Sequence, residues 1–415
     1  MILSDEEKKM LHGNYGHSVA MAMDYLVKLG EACDATSMID IDYAHVNAGE
    51  AVYINDIEEI LNLAKTGAKV RVPTTTNIVP IDMDQWQIMG TPEDLAEKQL
   101  QVHAAHKAMG VAGTYTCTPY LSGYLPVKNS HISSTETPAI IYFNSMLGAR
   151  TNRDGTFPIF SAITGKYPAC GYHLDENRKG THLVHVETLL SGPTEYGALG
   201  YYIGELVGDG APVITGLRSP RQEEIISMGA ALSTSGAVAL YHIPGVTAEC
   251  QDVDSTLNGD ISDEFSVSEF NIKYVFDKLR TTQKDTIDFV FLGCPHYGLE
   301  QIRYVTGLLD GKRISETVTL WVATNRALRA VANQMGYADI IRRAGGMLIS
   351  DCCGSMSHLR KSIRNNYGLS VPGVRAMLTD SVKQAKYAKD TIGCTTVVAN
   401  VEQCIKSAIT GKLEN

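Results

Sequence analysis

Three thiol positions in this sequence follow short apolar segments that read as buried strands. Cys117 lies between two threonines in VAGTYTCTPYLSG, residues 111–123, Cys294 ends TIDFVFLGCP, and Cys352 and Cys353 follow GMLISD. The carboxyl ends of parallel strands form the sheet edge at which α/β proteins bind ligands. Three thiolates there would suit iron or an iron–sulfur cluster and leave a coordination position for a substrate. Any one of these cysteines taken alone could equally be a buried, inert thiol.

No local motif supplies a complete metal or nucleotide site. The chain has no C-x-x-C pair, no Walker A sequence and no complete G-x-G-x-x-G. Zinc ribbons, ferredoxin-type motifs and thioredoxin-type redox pairs are therefore excluded as local readings. Any metal ligands must converge from distant segments of the chain.

Two further polar segments could contact a substrate. His296, in GCPHYG, could act as a general base or bind a substrate, or it could be hydrogen-bonded within a loop. The segment FNSMLGARTNRDG, residues 143–155, carries more hydrogen-bonding groups than a turn needs, among them Asn144, Ser145, Arg150 and Asn152. An arginine in this segment could hold a carboxylate or phosphate with a bidentate fork, or it could form an ordinary ion pair.

The elements that must position these groups alternate between apolar runs and amphipathic stretches, which predicts an α/β fold. Helices are predicted over 55–67 and 91–110, the second capped by Thr91, and strands over 211–216, 237–243, 286–293, 317–324 and 346–350. A chain of 415 residues favours two or three lobes. Composition predicts lobe boundaries after residues 208 and 350. Residues 1–208 would then form the first lobe or lobes, residues 209–350 the second lobe, and residues 351–415 a C-terminal segment that packs back on the thiol site.

Composition narrows the class of protein. A net charge of −10 without a basic cluster argues against a nucleic-acid surface, and no apolar run reaches the length of a membrane span. The amino terminus, MILSDEEKKML, lacks the features of a secretory signal. We therefore expect a cytoplasmic protein whose nine cysteines stay reduced, without a disulfide framework.

The quoted segments, taken together, resemble a known family. TCTPY, FNSMLGARTNRDG, GKYPACGYHLDENRKG, ALYHIPGVTAE, FLGCPH and the DCC after GMLIS resemble, in order and over most of the chain, the large subunit of aconitase X. The resemblance implies an aconitase-like α/β fold with several α/β/α lobes and mainly parallel sheets. It also implies a hydro-lyase, or dehydratase, that uses an iron or iron–sulfur centre held by three cysteines as a Lewis acid.

Residue roles follow from the matched motifs. The resemblance implies Cys117, Cys294 and Cys353 as metal ligands, with Cys352 as the spare thiol. It implies substrate contacts from a second set of residues, namely Asn144, Ser145, Arg150, Asn152 and His173. Catalytic roles are expected for His296 and for Lys383, which the chain keeps although Val382 replaces the usual glycine before it.

The resemblance further implies a small swivel-domain partner subunit and a small hydroxy acid as substrate. The chain ends at Asn415 without a segment that could form the swivel domain. Of the family's two activities, dehydration of cis-3-hydroxy-L-proline and dehydration of mevalonate 5-phosphate, the modest charged fraction favours the first, because hyperthermophile proteins are enriched in Lys and Glu. TCTPY looks closer to the second. Two other interpretations use the same cysteines: a non-catalytic subunit with a structural or sensing cluster, and a zinc–thiolate protein.

Overall fold

Three parallel sheets, each accompanied by helices, follow one another along the chain in a computed structural model. The structure describes residues 1–52, 57–257, 263–282, 286–369 and 373–414. The predicted α/β fold with mainly parallel sheets is confirmed. None of the helices in the described part of the chain combines the length and apolar character that a membrane span needs.

The first lobe is built on a three-stranded sheet with the order β3-β2-β4. Its strands are β2 (Tyr43–Val46), β3 (Thr74–Thr76) and β4 (Ile132–Ser134), and a separate antiparallel pair joins β1 (Met38–Asp40) to β5 (Lys166–Pro168). Its helices are α1 (Asp5–Leu11), α2 (His17–Ala32), α3 (Ile57–Lys65), α4 (Glu93–Met109), α5 (Thr137–Ser145) and α6 (Pro158–Thr164).

The second lobe has a three-stranded sheet with the order β7-β6-β8. Its strands are β6 (His182–Val186), β7 (Pro212–Thr215) and β8 (Asp263–Val267), and its helices are α7 (Gly192–Val207), α8 (Gln222–Ser235), α9 (Val253–Thr256) and α10 (Glu269–Leu279). Small residues let α7 and α8, the two longest helices of this lobe, approach closely. A Cβ on Gly200 of α7 would lie 2.2 Å from the backbone oxygen of Met228 on α8.

The third lobe has a five-stranded parallel sheet with the order β11-β10-β9-β12-β13. Its strands are β9 (Phe289–Tyr297), β10 (Thr319–Thr324), β11 (Met347–Ser350), β12 (Ala376–Thr379) and β13 (Thr395–Val398). Its helices are α11 (Leu299–Leu309), α12 (Arg326–Gln334), α13 (Tyr337–Ala344), α14 (Lys361–Asn366), α15 (Val382–Thr391) and α16 (Val401–Thr410).

Both lobe boundaries predicted from composition fall inside a sheet. The boundary after residue 208 separates β6 from β7, and the boundary after residue 350 separates β9, β10 and β11 from β12 and β13. Strands of one hydrogen-bonded sheet belong to one lobe, so the second lobe contains all of β6 to β8 and the third all of β9 to β13. The predicted C-terminal segment 351–415 therefore completes the third sheet.

Four of the five predicted strands are confirmed, as β7, β9, β10 and β11. The strand predicted over 237–243 is wrong, because this segment pairs with β7 only through the bridge between His242 and Val213. Side chains satisfy the backbone elsewhere in the segment: Asn144 donates to the Ala239 carbonyl and Ser145 accepts from the Tyr241 N–H. Hydrogen bonds of this kind replace a strand ladder.

Helix α4 begins and ends almost where the sequence predicts. It ends at Gly110, which has the left-handed conformation (φ 92°) typical of helix C-termini. Pro92, and not Thr91, holds the N-cap position. The Thr91 hydroxyl instead lies 3.2 Å from Nδ1 of His358, so a contact to the third lobe replaces the predicted cap. The start of the helix predicted over 55–67 lies partly outside the described residues, and α3 covers the rest of it.

The expectation that all nine cysteines stay reduced is wrong in this structure. Cys33, which follows α2, forms a disulfide with Cys170 in the loop after β5, and their Cα atoms are 6.3 Å apart. The other seven cysteines are free thiols. Spacing in sequence could not indicate this pair, because 137 residues separate its members.

Candidate active site

Cys117 lies at the carboxyl edge of the first sheet. The strand predicted before Cys117 does not form. Residues 111–116 instead run beside β3 with a single bridge between Thr75 and Ala112. The Ala112 N–H donates to the Thr74 carbonyl (2.9 Å) and the Thr116 N–H donates to the Thr76 carbonyl (3.1 Å). These bonds carry the chain past the end of β3, so Cys117 emerges at the edge where ligands bind in such sheets.

The sequence predicts that Cys294 follows the end of a strand. In the structure it lies within β9. The register of β9 against β10 shifts between Val322 and Thr324, so the strand is irregular at this point. Gly293 has φ 99°, and a Cβ there would lie 2.2 Å from the Ala323 carbonyl oxygen. Only glycine fits this position, and the resulting irregularity places Cys294 beside the other thiols.

Cys352 and Cys353 follow β11 through a residue with an unusual backbone conformation. Asp351 has φ 70°, and Arg326 donates to both of its carboxylate oxygens at 2.9 and 2.8 Å. The two thiols have different charged neighbours: Asp82 acts on Cys352, whereas Lys383 and Glu136 act on Cys353. This difference supports Cys353, and not Cys352, as the third member of the site.

The three predicted ligand cysteines share one charged environment. The charges of Lys383 and Glu136 act on Cys117, Cys294 and Cys353 alike, and the thiols also act on one another. All three are free, and they pack in one apolar cluster. The structure therefore brings together thiols that are far apart in the sequence.

Burial controls the protonation of these thiols. It raises the pKa of Cys294 to about 12 and that of Cys353 to about 11, and it holds the pKa of Cys117 above its ordinary range. Lys383 opposes burial at each thiol and lowers its pKa. Without a bound cation the thiols are therefore protonated at neutral pH, and a metal would have to displace their protons on binding.

His296 is hydrogen-bonded on both sides of its ring and is 1% exposed. Its Nδ1 lies 3.2 Å from the Thr116 hydroxyl, and its Nε2 lies 3.0 Å from the Cys352 carbonyl oxygen. Its backbone N–H donates to the sulfur of Cys117 at 3.4 Å. Burial lowers the pKa of His296 to about 4. The predicted role as a general base has no support from this geometry, since neither ring nitrogen is available to a substrate.

Lys383 and Glu136 form a buried ion pair beside the thiols. The Lys383 ammonium donates to one carboxylate oxygen of Glu136 at 3.0 Å, and Asn77 donates to the other at 2.7 Å. Burial alone would lower the pKa of Lys383, but the charges of Glu136, Cys294 and Cys117 outweigh it and the pKa is raised. The pair joins the first lobe to the third and sets a carboxylate and an ammonium next to the thiol site.

A cavity lies close to one of the thiols. It has a volume of about 620 Å³ and lies between the second and third lobes. A narrow cleft that contacts Cys294 shares four of its lining residues with this cavity, namely Pro193, Glu223, Tyr297 and Gln301. Cys294 is therefore the thiol nearest to this cavity among the residues that line either space.

Two predicted substrate residues are committed to the protein interior. The amide of Asn144 donates to the Thr151 and Ala239 carbonyls and accepts from Thr151 N–H and Arg178. These four bonds use its full capacity. The Ser145 hydroxyl accepts from the Tyr241 N–H. Asn144 therefore has no free group for a substrate, and Ser145 is buried.

The other three predicted substrate residues lie away from the thiols. Arg150 forms a backbone bridge with His131 at the amino end of β4, and its side chain forms an ion pair with Asp175. Glu136, which lies beside the thiols, follows the opposite end of the same strand. Nδ1 of His173 lies 3.0 Å from Nδ1 of His131 in the same group. Asn152 donates to the Cys170 carbonyl at 3.1 Å and accepts from the Tyr172 N–H at 2.8 Å. Their substrate roles stay predictions without support from the geometry.

Sequence reasoning missed Asn77 and Glu136. Both follow strands of the first sheet, β3 and β4, at the carboxyl edge. The rule that selected the cysteines would also have selected these two residues. The strands before them have only three residues each, which is too short for a clear period-two pattern.

The donor set fits a metal centre held by thiolates. Three free thiols are the soft ligands that iron, iron–sulfur clusters and zinc take in proteins. Within the described residues, Asp82, Asp84 and Asp351 form a group of three possible ligands whose atoms all lie within 4.8 Å of one another.

The hydrogen bonds to the sulfurs also fit such a centre. The His296 N–H donates to the Cys117 sulfur at 3.4 Å, the backbone of Met356 and Ser355 lowers the pKa of Cys353, and the Ser381 side chain lowers that of Cys294. Bonds of this kind tune cluster thiolates. The aspartate group, by contrast, is neutralised by Arg326 and Arg329.

Comparisons with known proteins match one family along nearly the whole chain. Family models described as the aconitase X first, second and third domains match residues 1–176, 180–277 and 287–410. The chain is 39% identical over 95% of its length to the phosphomevalonate dehydratase large subunit of Methanothermobacter thermautotrophicus, of which the alignment covers 96%. It is 31% identical over 98% of its length to the cis-3-hydroxy-L-proline dehydratase of Pseudomonas aeruginosa, of which the alignment covers 70%.

A solved structure is similar over nearly the whole chain. The crystal structure of Thermococcus kodakaraensis aconitase X in its holo-form superposes with a TM-score of 0.87 at 33% identity. The match covers 98% of this chain and 100% of that one.

Proposed function

This chain belongs to the aconitase X family of dehydratases, and from that premise we propose that it is the large subunit of a phosphomevalonate dehydratase. The observation that carries the proposal is the convergence of three free cysteines from two lobes around the Lys383–Glu136 pair. The fold and family are those of enzymes that eliminate water from a hydroxylated substrate.

Sequence identity supports mevalonate 5-phosphate over cis-3-hydroxy-L-proline as the substrate. Identity is 39% to the phosphomevalonate enzyme and 31% to the hydroxyproline enzyme. This reverses the preference drawn from composition, which rested on the abundance of charged residues over the whole chain and on no residue at the site. The likeness of TCTPY to the phosphomevalonate branch points the same way.

We propose that Cys117, Cys294 and Cys353 hold an iron–sulfur cluster. The hydrogen-bond donors around their sulfurs support this proposal, since bonds of this kind tune cluster thiolates. Such a cluster, when bound, supplies a Lewis acid for the hydroxyl group that leaves. The raised pKa values of the free thiols make loading dependent on pH, because each thiol must lose its proton to bind.

The protein's own part in the reaction centres on Glu136 and Lys383. Glu136 is proposed to accept the proton from the substrate carbon, since its carboxylate lies beside the thiols and Asn77 and Lys383 hold both of its oxygens in place. Lys383 also places a positive charge next to the developing negative charge of the substrate. His296 takes no part in proton transfer in this scheme.

The name "large subunit" of the similar protein supports a small-subunit partner for this chain. We expect turnover only when the small subunit is present. Full turnover by this chain alone would contradict the partner proposal and leave the cluster proposal untouched.

The proposal is tested on protein purified without oxygen, by its iron and sulfide content and its visible and EPR spectra. Cys117→Ser, Cys294→Ser and Cys353→Ser are each expected to abolish the iron signal, and Cys352→Ser is the matched control that should keep it. Zinc in place of iron would establish the zinc–thiolate reading.

Activity is then measured with the co-expressed small subunit on both substrates. Dehydration of mevalonate 5-phosphate is the expected result, and exclusive dehydration of cis-3-hydroxy-L-proline would overturn the substrate. An iron-loaded complex inactive on both substrates would favour the non-catalytic reading.

A further inference from the structure

We propose that His296 is the positioning residue that aligns the three ligand cysteines, an inference that rests on the metal centre proposed above. The residue lies two positions after Cys294 and contacts the segments that carry Cys117 and Cys353. It thereby connects all three thiol segments, which come from two different lobes.

The hydrogen bonds of the ring have a defined direction. The Cys352 carbonyl can only accept, so Nε2 of His296 carries the ring proton and donates to it at 3.0 Å. Nδ1 is then left to accept from the Thr116 hydroxyl at 3.2 Å. The Thr116 oxygen in turn accepts from the Thr118 N–H at 3.0 Å and lies 3.1 Å from the Thr118 hydroxyl, which can donate to it while Thr116 donates to the ring. A neutral imidazole satisfies each of these bonds.

Each of the two contacts fixes a peptide next to a thiol. The Cys352 carbonyl belongs to the peptide group whose nitrogen is that of Cys353, so the bond from Nε2 sets the plane from which the Cys353 side chain departs. Thr116 precedes Cys117 directly, and the His296 N–H also donates to the Cys117 sulfur. Displacement of the ring would therefore release two ligands at once.

Burial makes this arrangement rigid. Thr116 and Cys352 are fully buried and His296 is 1% exposed, so water cannot replace the ring without opening the site. Removal of a group that hydrogen-bonds to a metal ligand and orients it typically lowers metal affinity about 10- to 100-fold. The same contacts explain why a residue expected to act as a base has no nitrogen facing the cavity.

The experiment compares His296→Ala and His296→Gln with wild-type protein reconstituted with iron and sulfide. The measured quantities are the rate of iron transfer to an iron chelator and the visible circular dichroism spectrum. Glutamine keeps a donor toward the Cys352 carbonyl, whereas alanine removes both contacts. We expect iron loss about 10-fold faster or more for His296→Ala, and an intermediate rate for His296→Gln.

His242→Gln is the matched control. His242 is also 1% exposed and its Nε2 also bonds a carbonyl oxygen, that of Arg178 at 2.8 Å, but it lies in the second lobe away from the thiols. Its substitution should leave the iron-loss rate unchanged. Thr116→Val removes the Nδ1 contact together with the acceptor of the Thr118 N–H, so it is compared with His296→Gln if His296→Ala does not fold; faster iron loss is expected in both.

Activity per bound iron separates positioning from catalysis. A positioning role predicts that the iron retained by His296→Gln stays within about three-fold as active as in wild type, with an unchanged pH profile. Wild-type rates of iron loss in His296→Ala and Thr116→Val would overturn the inference, and so would a fully loaded but inactive His296→Gln. Absence of iron from wild-type protein would instead refute the metal centre itself.

Discussion

Replacement of Glu136 by glutamine should destabilise the protein by removing the partner of a buried charge. The Lys383 and Glu136 side chains are 11% and 16% exposed, and their charged atoms are 3.0 Å apart. The substitution leaves the Lys383 ammonium buried among thiols and apolar side chains. Lys383→Met creates the opposite defect, and the double variant removes both charges.

The separation of the two charges sets the magnitude. At 3.0 Å and an effective dielectric constant of about 20, the attraction is about 5 kcal/mol before desolvation is subtracted. Removal of one partner of a buried pair typically costs about 3–5 kcal/mol. We therefore expect each single variant to lose about 3 kcal/mol of unfolding free energy, and the double variant to lose about 2 kcal/mol less than their sum.

The assay is urea unfolding of the cluster-free protein, followed by tryptophan fluorescence. Urea is used because a guanidinium salt would screen the ion pair. Cluster-free protein is used because bound thiolates would add negative charge beside Lys383. The control is the pair Lys278 and Glu205, which is 37% and 29% exposed and should show a coupling of about 0.5 kcal/mol.

Additivity would refute the reasoning. If the losses of Glu136→Gln and Lys383→Met sum to that of the double variant within about 0.5 kcal/mol, the pair is not coupled and the two lobes do not meet there. A coupling in the Lys278–Glu205 control as large as that of the buried pair would show that burial is not its cause.

Three further predictions concern the rest of the molecule. Denatured, unreduced protein should expose seven reactive thiols and reduced protein nine, because Cys33 and Cys170 form the disulfide; nine thiols before reduction would contradict the pairing. Burial lowers the pKa of His106 and of His358 to about 4. Between pH 6.5 and pH 4 each imidazole is protonated in the unfolded chain but not in the folded one, so the free energy of unfolding falls as the pH falls through this range. The unfolding free energy measured in urea should therefore fall by about 2 kcal/mol per histidine between pH 7 and pH 5, and His358→Gln should flatten that slope; an unchanged slope would count against this assignment. Arg150→Met should change KM less than about three-fold because Arg150 lies at the far end of β4, and a large rise in KM would restore its predicted substrate role.

The sequence predicts the features that local patterns encode. Apolar runs bounded by turns predict β7, β9, β10 and β11, since a buried parallel strand needs a continuous apolar stretch. The run that forms β11 also places Cys353 past the end of a strand, whereas residues 111–116, before Cys117, run beside β3 with a single bridge. Helix α4 follows from its own end signals, above all Gly110.

Features that depend on contacts between distant segments could not be predicted in this way. The boundary after residue 208 fails because β6 lies between β7 and β8, an order that composition does not reveal. The segment 237–243 has the composition of a strand, but side chains such as Asn144 and Ser145 bond its backbone. The pairing of Glu136 with Lys383 exists only after two lobes have come together.

The distribution of the three cysteines over two lobes bears on the order of events during synthesis. Cys117 belongs to the first lobe, whereas Cys294 and Cys353 belong to the third. The first lobe leaves the ribosome before Cys294 and Cys353 are made, so Cys117 is present before the other two proposed ligands. If the three thiols hold the proposed cluster, its insertion requires both lobes to be folded and docked. Iron and sulfide would then be delivered to a nearly complete chain.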